Sequence, residues 1–291
     1  MTYCGGRPLN PDPPVLNVTV DNVYFSYDQK LILGGIDMRV LAGAFVCILG
    51  QSGCGKSTFL RLLAGLEQPT AGSILVDGRP VRKAGLDRGM VFQDYGLFPW
   101  MSAGENITIA LKQKFKGLRK AERKAEALKK LREVELDESC FNKFPKELSG
   151  GMRQRCAIAR AFAIDPPVLL MDEPFGALDA VTRARLQDLV LELWQKETKR
   201  RKTIFFVTHD VDEALLLATH IFVLGQSPGR IIYSHQFDGP KAVNRESMYA
   251  DPNIVALRNS LIRIINEEIL LKAGHQAGAA ERNNGHGQTC R

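Results

Sequence analysis

The chain has 291 residues, 45% of them hydrophobic and 24% charged, a globular composition with enough chain for one or two domains. It contains no apolar run long enough to predict a membrane-spanning helix, and its six cysteines lack the CxxC or CxxH spacing of a zinc site. The scattered cysteines favour a reducing cytosol, and the net charge of +7 is compatible with nucleic acid, anionic lipid or nucleotide as a partner.

The first half of the chain alternates strands with turns. Residues 1–14 lack the apolar segment of a secretory signal, and we expect a flexible leader there. The alternation in VLNVTVDNVYFSY predicts an antiparallel strand. The run FVCILG predicts a buried strand, which a glycine-rich turn joins to the helical pattern STFLRLLAGL. SILVDGRPV then predicts a strand and hairpin, and GMVFQ predicts a short strand.

A charged helical layer is expected from about Ala110 to Phe144. Much of the positive charge lies between Lys112 and Arg132. We interpret this stretch as a solvated helix face, and the alternative is a face toward a membrane or a partner subunit.

The second half alternates helices and strands. A helix from Met152 to Ile164 precedes the strand VLLMDEP, and further helices separate the strands KTIFFVTHD and IFVLG. This order predicts an α/β fold, with a mostly parallel sheet covered on both faces and an antiparallel edge from the early strands.

The segment GQSGCGKST fits the phosphate-loop pattern G-x-x-x-x-G-K-[ST] at every fixed position, between a predicted strand and a predicted helix. Loop N–H groups would wrap phosphates, Lys56 would reach the β- and γ-phosphates, and Ser57 would offer its hydroxyl to Mg²⁺. We expect only incidental alkylation at Cys54. The nucleotide-binding residues expected here are Gly50, Gln51, Ser52, Gly53, Cys54, Gly55, Lys56, Ser57 and Thr58.

Two carboxylates end the strand VLLMDEP. Asp172 would hold Mg²⁺ through its water shell. Alternation along the strand would point Glu173 the other way, toward a water that attacks the γ-phosphate. Without the phosphate loop, the pair would be read as ordinary surface acids.

Polar residues also follow two other predicted strands. His209 and Gln93 would both lie at the carboxyl edge of the parallel sheet, where ligands bind. The Gln93 amide can accept a hydrogen bond from water or face a metal. A structural role is the alternative for His209.

A second potential anion site lies at LSGG. Ser149, Gly150 and Gly151 would form a helix start with a hydroxyl and unhindered N–H groups. The alternative is an ordinary serine cap.

These segments, in this order from Val15 to Gly229, resemble the ATP-binding subunits of ABC transporters. The resemblance includes LSGGMRQR and ALDA at Ala177–Ala180. It implies a P-loop ABC ATPase domain over residues 15–240, with an antiparallel β subdomain and a helical subdomain at about 100–160. A helical extension over 241–272 and a disordered tail over 273–291 would follow.

The resemblance also implies roles for the site residues. ATP would lie between two copies arranged head to tail, with the LSGG of one copy on the γ-phosphate held by the other. Glu173 would polarise the attacking water and His209 would orient it. Asp179 would link the two sites, and Tyr27 would stack on adenine.

Gln93 would couple the site to the membrane partner and join Ser57 and Asp172 at Mg²⁺. The implied partners are a second copy, two transmembrane permease subunits and, indirectly, an extracytoplasmic solute-binding protein. The implied location is the cytoplasmic face of the cell membrane, as a peripheral protein.

Finer features resemble importers of the nitrate, sulfonate and taurine group. They include VFQDYGLFPWMSAGENI, and SMYADPNIVALRNSLIRIINEEI is most similar to taurine import ATPases. The chain departs from the group at Gln51, usually proline, and at Met152, where many relatives have glutamine. The resemblance implies import of taurine, an alkanesulfonate or nitrate, with taurine preferred.

Two alternatives stay open at this point. An ABC-type ATPase could act in translation, repair or cluster assembly, although the chain has a single cassette and no long coiled-coil insertion before LSGG. A nucleic-acid-binding protein could use the positive charge, but the aromatic and basic modules of that class are missing, and we expect no nucleic-acid partner.

Overall fold

The computed structural model describes residues 16–196, 201–238 and 243–284, with side chains to 270, together with two dipeptide strands, β1 (Tyr3–Cys4) and β2 (Arg7–Pro8). Apart from those two strands, which pair antiparallel, the leader expected at residues 1–14 lies outside the described residues.

The centre of the fold is a six-stranded sheet. Five of its strands are parallel and the last is antiparallel. Three strands are buried at every position, as the apolar runs of the sequence predict for a sheet covered on both faces. In spatial order the strands are β12 (Ile231–Gln236), β11 (His220–Leu224), β5 (Phe45–Leu49), β10 (Thr203–Thr208), β9 (Val168–Asp172) and β8 (Arg88–Val91).

The early strands form a four-stranded antiparallel sheet of their own. Their order is β4 (Lys30–Val40), β3 (Val18–Tyr27), β6 (Ala71–Val76) and β7 (Arg79–Pro80). This sheet shares one apolar cluster with the central sheet and with helix α1 (Lys56–Ala64). The structure thus confirms the antiparallel subdomain, but as a separate sheet and not as an edge of the parallel sheet.

The other face of the central sheet is covered by helices. One apolar cluster joins the sheet to α4 (Gly150–Ala163), α5 (Ala180–Gln195) and α6 (Val211–Leu217). The same cluster reaches the helical layer of α2 (Ala103–Lys114) and α3 (Lys120–Glu133).

The basic stretch predicted as a solvated face falls on the end of α2 and on α3. In α3, only Glu126, Ala127 and Leu131 are buried, so most of its charged side chains remain partly or fully exposed.

The C-terminal region differs from the sequence prediction in two places. β12 was not predicted, although IIYSHQ alternates in burial as an edge strand does. After α7 (Ser247–Ala250), α8 (Pro252–Asn284) continues through residues 273–284, which the sequence predicted as a disordered tail. Four of those twelve residues are alanine, the strongest helix former, and glutamine, glutamate and arginine each occur once. Residues 285–291 lie outside the described residues.

Among the helices that the structure describes, none combines the length and the apolar character needed to cross a membrane.

Candidate nucleotide site

The phosphate loop leaves β5 at Leu49 and enters α1 at Lys56. Gly53 and Gly55 have φ values of 81° and 103°, a region that glycine adopts at little cost. At Gly50, a Cβ would lie 2.7 Å from the carbonyl oxygen of Leu224. The glycines of the motif are therefore required by the shape of the loop itself.

Cys54 is nearly fully buried inside this loop. Burial raises the pKa of its thiol, and the nearby Lys56 charge opposes that rise only in part. The expected incidental alkylation is therefore not supported, because the reactive thiolate is disfavoured and inaccessible.

Lys56 is buried and directed along the loop. Its Nζ donates to the carbonyl oxygens of Gly50 at 2.9 Å and Gln51 at 2.8 Å, and it lies 3.3 Å from Oε1 of Glu173. The positive charge is thus held where the loop meets the end of β9.

Ser57 and Asp172 join the loop to the end of β9. The Ser57 hydroxyl donates to Oδ1 of Asp172 at 2.8 Å. Burial raises the pKa of Asp172, the Ser57 hydrogen bond opposes that rise, and the Glu173 charge adds to it. A hydroxyl beside a carboxylate is the oxygen donor set that suits Mg²⁺.

Glu173 lies just beyond β9, with a left-handed backbone at φ 40°. Its N–H donates to the carbonyl oxygen of Val207 at 3.1 Å. Glu173 is therefore not part of the strand, and strand alternation does not determine its orientation. The sequence prediction gave the wrong reason for the direction of this side chain. Its carboxylate lies between Lys56 and His209, with Oε2 at 3.3 Å from His209 Nδ1.

His209 follows β10, and its side chain is 57% exposed. The residues on either side of it are fixed by a network that the sequence did not reveal. Thr208 Oγ1 donates to Oε2 of the buried Glu213 at 2.6 Å and accepts from the N–H of Asp210 at 3.0 Å. A sequence signal for Glu213 was available, because it is an acidic residue in the first turn of α6, the helix that follows the polar end of β10.

The remaining expected residues lie around this edge of the sheet or near it. Gln93 is exposed two residues beyond β8, the strand that neighbours β9, so it lies at the same edge as Asp172. Tyr27 ends β3, is 40% exposed and packs edge to face on Phe25.

The LSGG segment forms the start of α4. Ser149 caps the helix by accepting from the N–H of Met152 at 3.3 Å. A Cβ at Gly150 would have ordinary contacts, whereas one at Gly151 would lie 2.7 Å from Cγ2 of Thr182. Gly151 therefore allows α4 to pack closely on the start of α5.

The start of α5 is capped by Asp179, which accepts from the N–H of Thr182 at 3.0 Å. The hydrogen bonds from Thr182 lower the pKa of the Asp179 carboxyl. Within the described part of the chain, no hydrogen bond or ion pair joins Ser149, Gly150 or Gly151 to the phosphate loop.

Comparison with known proteins identifies the family to which this chain belongs. The ABC transporter family profile matches residues 33–176. The taurine import ATP-binding protein TauB of Rhizobium johnstonii is 45% identical over 87% of this chain and 97% of its own length. The bicarbonate transport ATP-binding protein CmpC of Synechococcus elongatus is 41% identical over 88% of this chain and 39% of its own length.

Among solved structures, the dimeric ATP-binding cassette MJ0796, in a post-hydrolysis state bound to ADP and Pi, is similar. It is 33% identical, with a TM-score of 0.68 over 77% of this chain and all of that one. The chain belongs to the ABC transporter family, as its ATP-binding cassette. It is an ATP-binding and ATP-hydrolysing protein of an importer-type group.

Proposed function

We propose that this chain hydrolyses ATP at a site shared between two copies and thereby energises import of a small anionic or zwitterionic solute, with taurine as the first candidate. The observation that carries the catalytic part is the position of the Glu173 carboxylate between Lys56 and His209, beside the Ser57–Asp172 pair.

We assign each residue the role that the resemblance to ABC ATPases implies. The loop N–H groups and Lys56 bind the phosphates of ATP, and Tyr27 stacks on the adenine. Glu173 polarises the attacking water, and His209 contacts the γ-phosphate and orients that water. A positioned carboxylate of this kind contributes about 100-fold or more to a proton-transfer step.

The oxygen atoms of Ser57, Asp172 and Gln93 would hold Mg²⁺. The hydrogen bond between Ser57 and Asp172 supports this assignment, since it places a hydroxyl and a carboxylate side by side. When bound, the ion neutralises charge on the phosphate oxygens. Asp172 and Ser57 contribute by holding their oxygen atoms in place before nucleotide arrives.

The second half of each site comes from the partner copy. The start of α4 offers backbone N–H groups and the Ser149 hydroxyl, the donors that a phosphate requires. Within the described residues these donors make no bond to the phosphate loop of their own chain, and in the proposed dimer they would bind the γ-phosphate held by the second copy. The dimeric form of the similar solved cassette supports assembly into a dimer.

The membrane partners are two permease subunits, which would hold the dimer at the cytoplasmic face of the membrane and follow its opening and closing through contacts near Gln93. Taurine is the favoured solute because the chain is 45% identical to the taurine import protein. The second relative is a bicarbonate transport protein, and bicarbonate is also a small anion. A solute-binding protein outside the membrane would deliver the solute, and no nucleic acid is involved.

The test is growth of the source organism on taurine as sole sulfur source after deletion of this gene. We expect growth to fail and to be restored by the wild-type chain but not by Glu173→Gln. Normal growth on taurine combined with lost growth on nitrate or another sulfonate would reassign the solute. Normal growth on every tested solute, with ATP hydrolysis intact in the purified protein, would contradict the import role.

A further inference from the structure

We propose that helix α8 positions the phosphate loop through Gln226 and so raises the affinity for ATP. Glu268 of α8 binds Gln226 on one side, and Gln226 binds the loop residue Gln51 on the other. This inference rests on the proposed assignment of Gly50–Thr58 as the phosphate-binding loop.

The end of β11 and the segment that follows it lie against the phosphate loop at three points. The Leu224 carbonyl oxygen would be 2.7 Å from a Cβ at Gly50, and Cys54 O would be 2.3 Å from a Cβ at Gly229. Between these contacts, Nε2 of Gln226 donates to Oε1 of Gln51 at 2.8 Å. The segment therefore follows the loop closely, and the side-chain bond fixes its centre.

Helix α8 holds the same segment from the outside. Oε2 of Glu268 accepts from the N–H of Gln226 at 3.2 Å. A Cβ at Gly225 would lie 3.1 Å from that oxygen and 2.8 Å from Cγ2 of Ile232. A small cavity at this junction is lined by Gly50, Gln51, Gln226, Ile232, Ile265 and Glu268.

The helix is itself anchored on the apolar core and on α6. Leu261 is fully buried in the apolar cluster, and Arg258 forms a two-point ion pair with Asp212 of α6, with bonds of 2.6 and 3.2 Å. Arg258 and Glu268 are separated by about 15 Å of helix, at 1.5 Å per residue. Helix α8 thus connects the helix that follows His209 to the phosphate loop.

The consequence for ATP runs through Lys56. Its Nζ donates to the carbonyl oxygen of Gln51, so the position of Gln51 affects where the ammonium is held. Without Glu268 or the Gln226 amide, Gln51 gains freedom and the loop must be ordered when ATP binds. Glu173 meets this chain of bonds only at Lys56, 3.3 Å from its Oε1, and His209 contacts Glu173, so turnover by the loaded enzyme should change less than the affinity for ATP.

The experiment measures the Kd for ATP by calorimetry, and KM and kcat by phosphate release, on the full chain. We expect Gln226→Ala and Glu268→Ala each to raise Kd about threefold to tenfold, the effect of one hydrogen bond, with kcat within about twofold of wild type. Glu268→Gln should keep the wild-type Kd, because its amide oxygen can still accept from Gln226. Glu267→Ala is the matched control, since this glutamate is exposed and adjacent on the same helix.

A double-mutant cycle tests the bond to the loop. Gln51→Ala and Gln226→Ala should together raise Kd no more than either alone. Additive effects, an unchanged Kd in Gln226→Ala, or an equal rise in Glu268→Gln and Glu268→Ala would each overturn the proposal.

Two further measurements distinguish failure of this proposal from a wrong phosphate-loop assignment and from unfolding of a variant. Lys56→Ala should abolish ATP binding; if it does not, the assigned phosphate loop itself is wrong. The urea midpoint identifies any variant that is unfolded. If a variant is unfolded, Gln51→Ala is the remaining test, because the Gln51 side chain is partly exposed. A wild-type Kd for ATP in Gln51→Ala would contradict the positioning role.

Discussion

The ammonium group of Lys56 lies 3.3 Å from the carboxylate of Glu173, although the two residues come from different motifs. The same carboxylate has its other oxygen 3.3 Å from His209. A positive left-handed φ of 40° turns Glu173 away from the path of β9, and such a backbone costs about 1–3 kcal/mol in a residue other than glycine. The fold maintains this conformation at the point where the phosphate loop, β9 and β10 meet.

The first prediction concerns Glu173→Gln. The amide keeps the size of the side chain but cannot take a proton from water, so turnover should fall by about 100-fold or more while ATP still binds. Phosphate release and the Kd for ATP measure the two effects, and size-exclusion chromatography with ATP should show a trapped dimer. An ATPase rate within a few-fold of wild type would remove Glu173 from its assigned role.

The second prediction concerns Ser149→Arg. A large side chain at the start of α4 should block the γ-phosphate held by the other copy and leave ATP binding in its own chain intact. Mixed dimers that contain one Ser149→Arg and one Lys56→Ala measure this. When the two changes lie on different chains, both affect the same composite site, and activity should survive at the other site. When they lie on the same chain, they affect different sites, and activity should disappear. The reverse pattern would contradict the head-to-tail arrangement.

The third prediction compares two adjacent glycines. Gly150→Ala meets ordinary contacts and improves helix propensity, so its free energy of unfolding should equal that of wild type or exceed it by up to about 1 kcal/mol. Gly151→Ala would press on Thr182 at 2.7 Å and should be less stable than Gly150→Ala by about 1 kcal/mol or more. Urea unfolding of the two variants checks this. Equal stabilities would show that α4 and α5 can separate without cost.

The fourth prediction concerns pH and Glu213. Burial raises the pKa of this carboxyl above its ordinary value of 4.5, although hydrogen bonds from Thr208 and Gln187 oppose the rise. The folded state therefore holds the proton more tightly than the unfolded state, and stability falls as pH rises from about the ordinary value through the raised one.

Glu213→Gln removes this titration. The wild type should lose unfolding free energy relative to Glu213→Gln as pH rises from about 4 to 7, measured by urea unfolding at several pH values. A stability difference that stays constant with pH would show that Glu213 does not titrate in that range.

Much of the fold could be predicted from local pattern. Apolar runs such as FVCIL predicted β5, and the helical spacing after Ser149 predicted α4. β12 was missed because its short alternation is weak beside turn residues. The extent of α8 was missed because a polar, alanine-containing stretch is compatible with both helix and disorder.

The candidate site was likewise predicted only in part. Motif spacing singled out Lys56 because the glycines and the lysine of a phosphate loop are neighbours in sequence, and it singled out Asp172 because two acids directly end a buried strand. Glu213 and Gln226 were not identified, because each acts through a contact with a residue distant in sequence, and Glu213 also depends on burial. The orientation of Glu173 depended on a backbone torsion that strand alternation does not encode.

The close packing of Gly151 on Thr182 has a consequence for assembly. It fixes the start of α4 against the start of α5, so the two capping side chains, Ser149 and Asp179, belong to one rigid surface. In the proposed dimer, a second copy that contacts one of these caps would therefore meet the other at a fixed spacing. The lack of a side chain at residue 151 sets that spacing, because it lets the two helix starts approach each other.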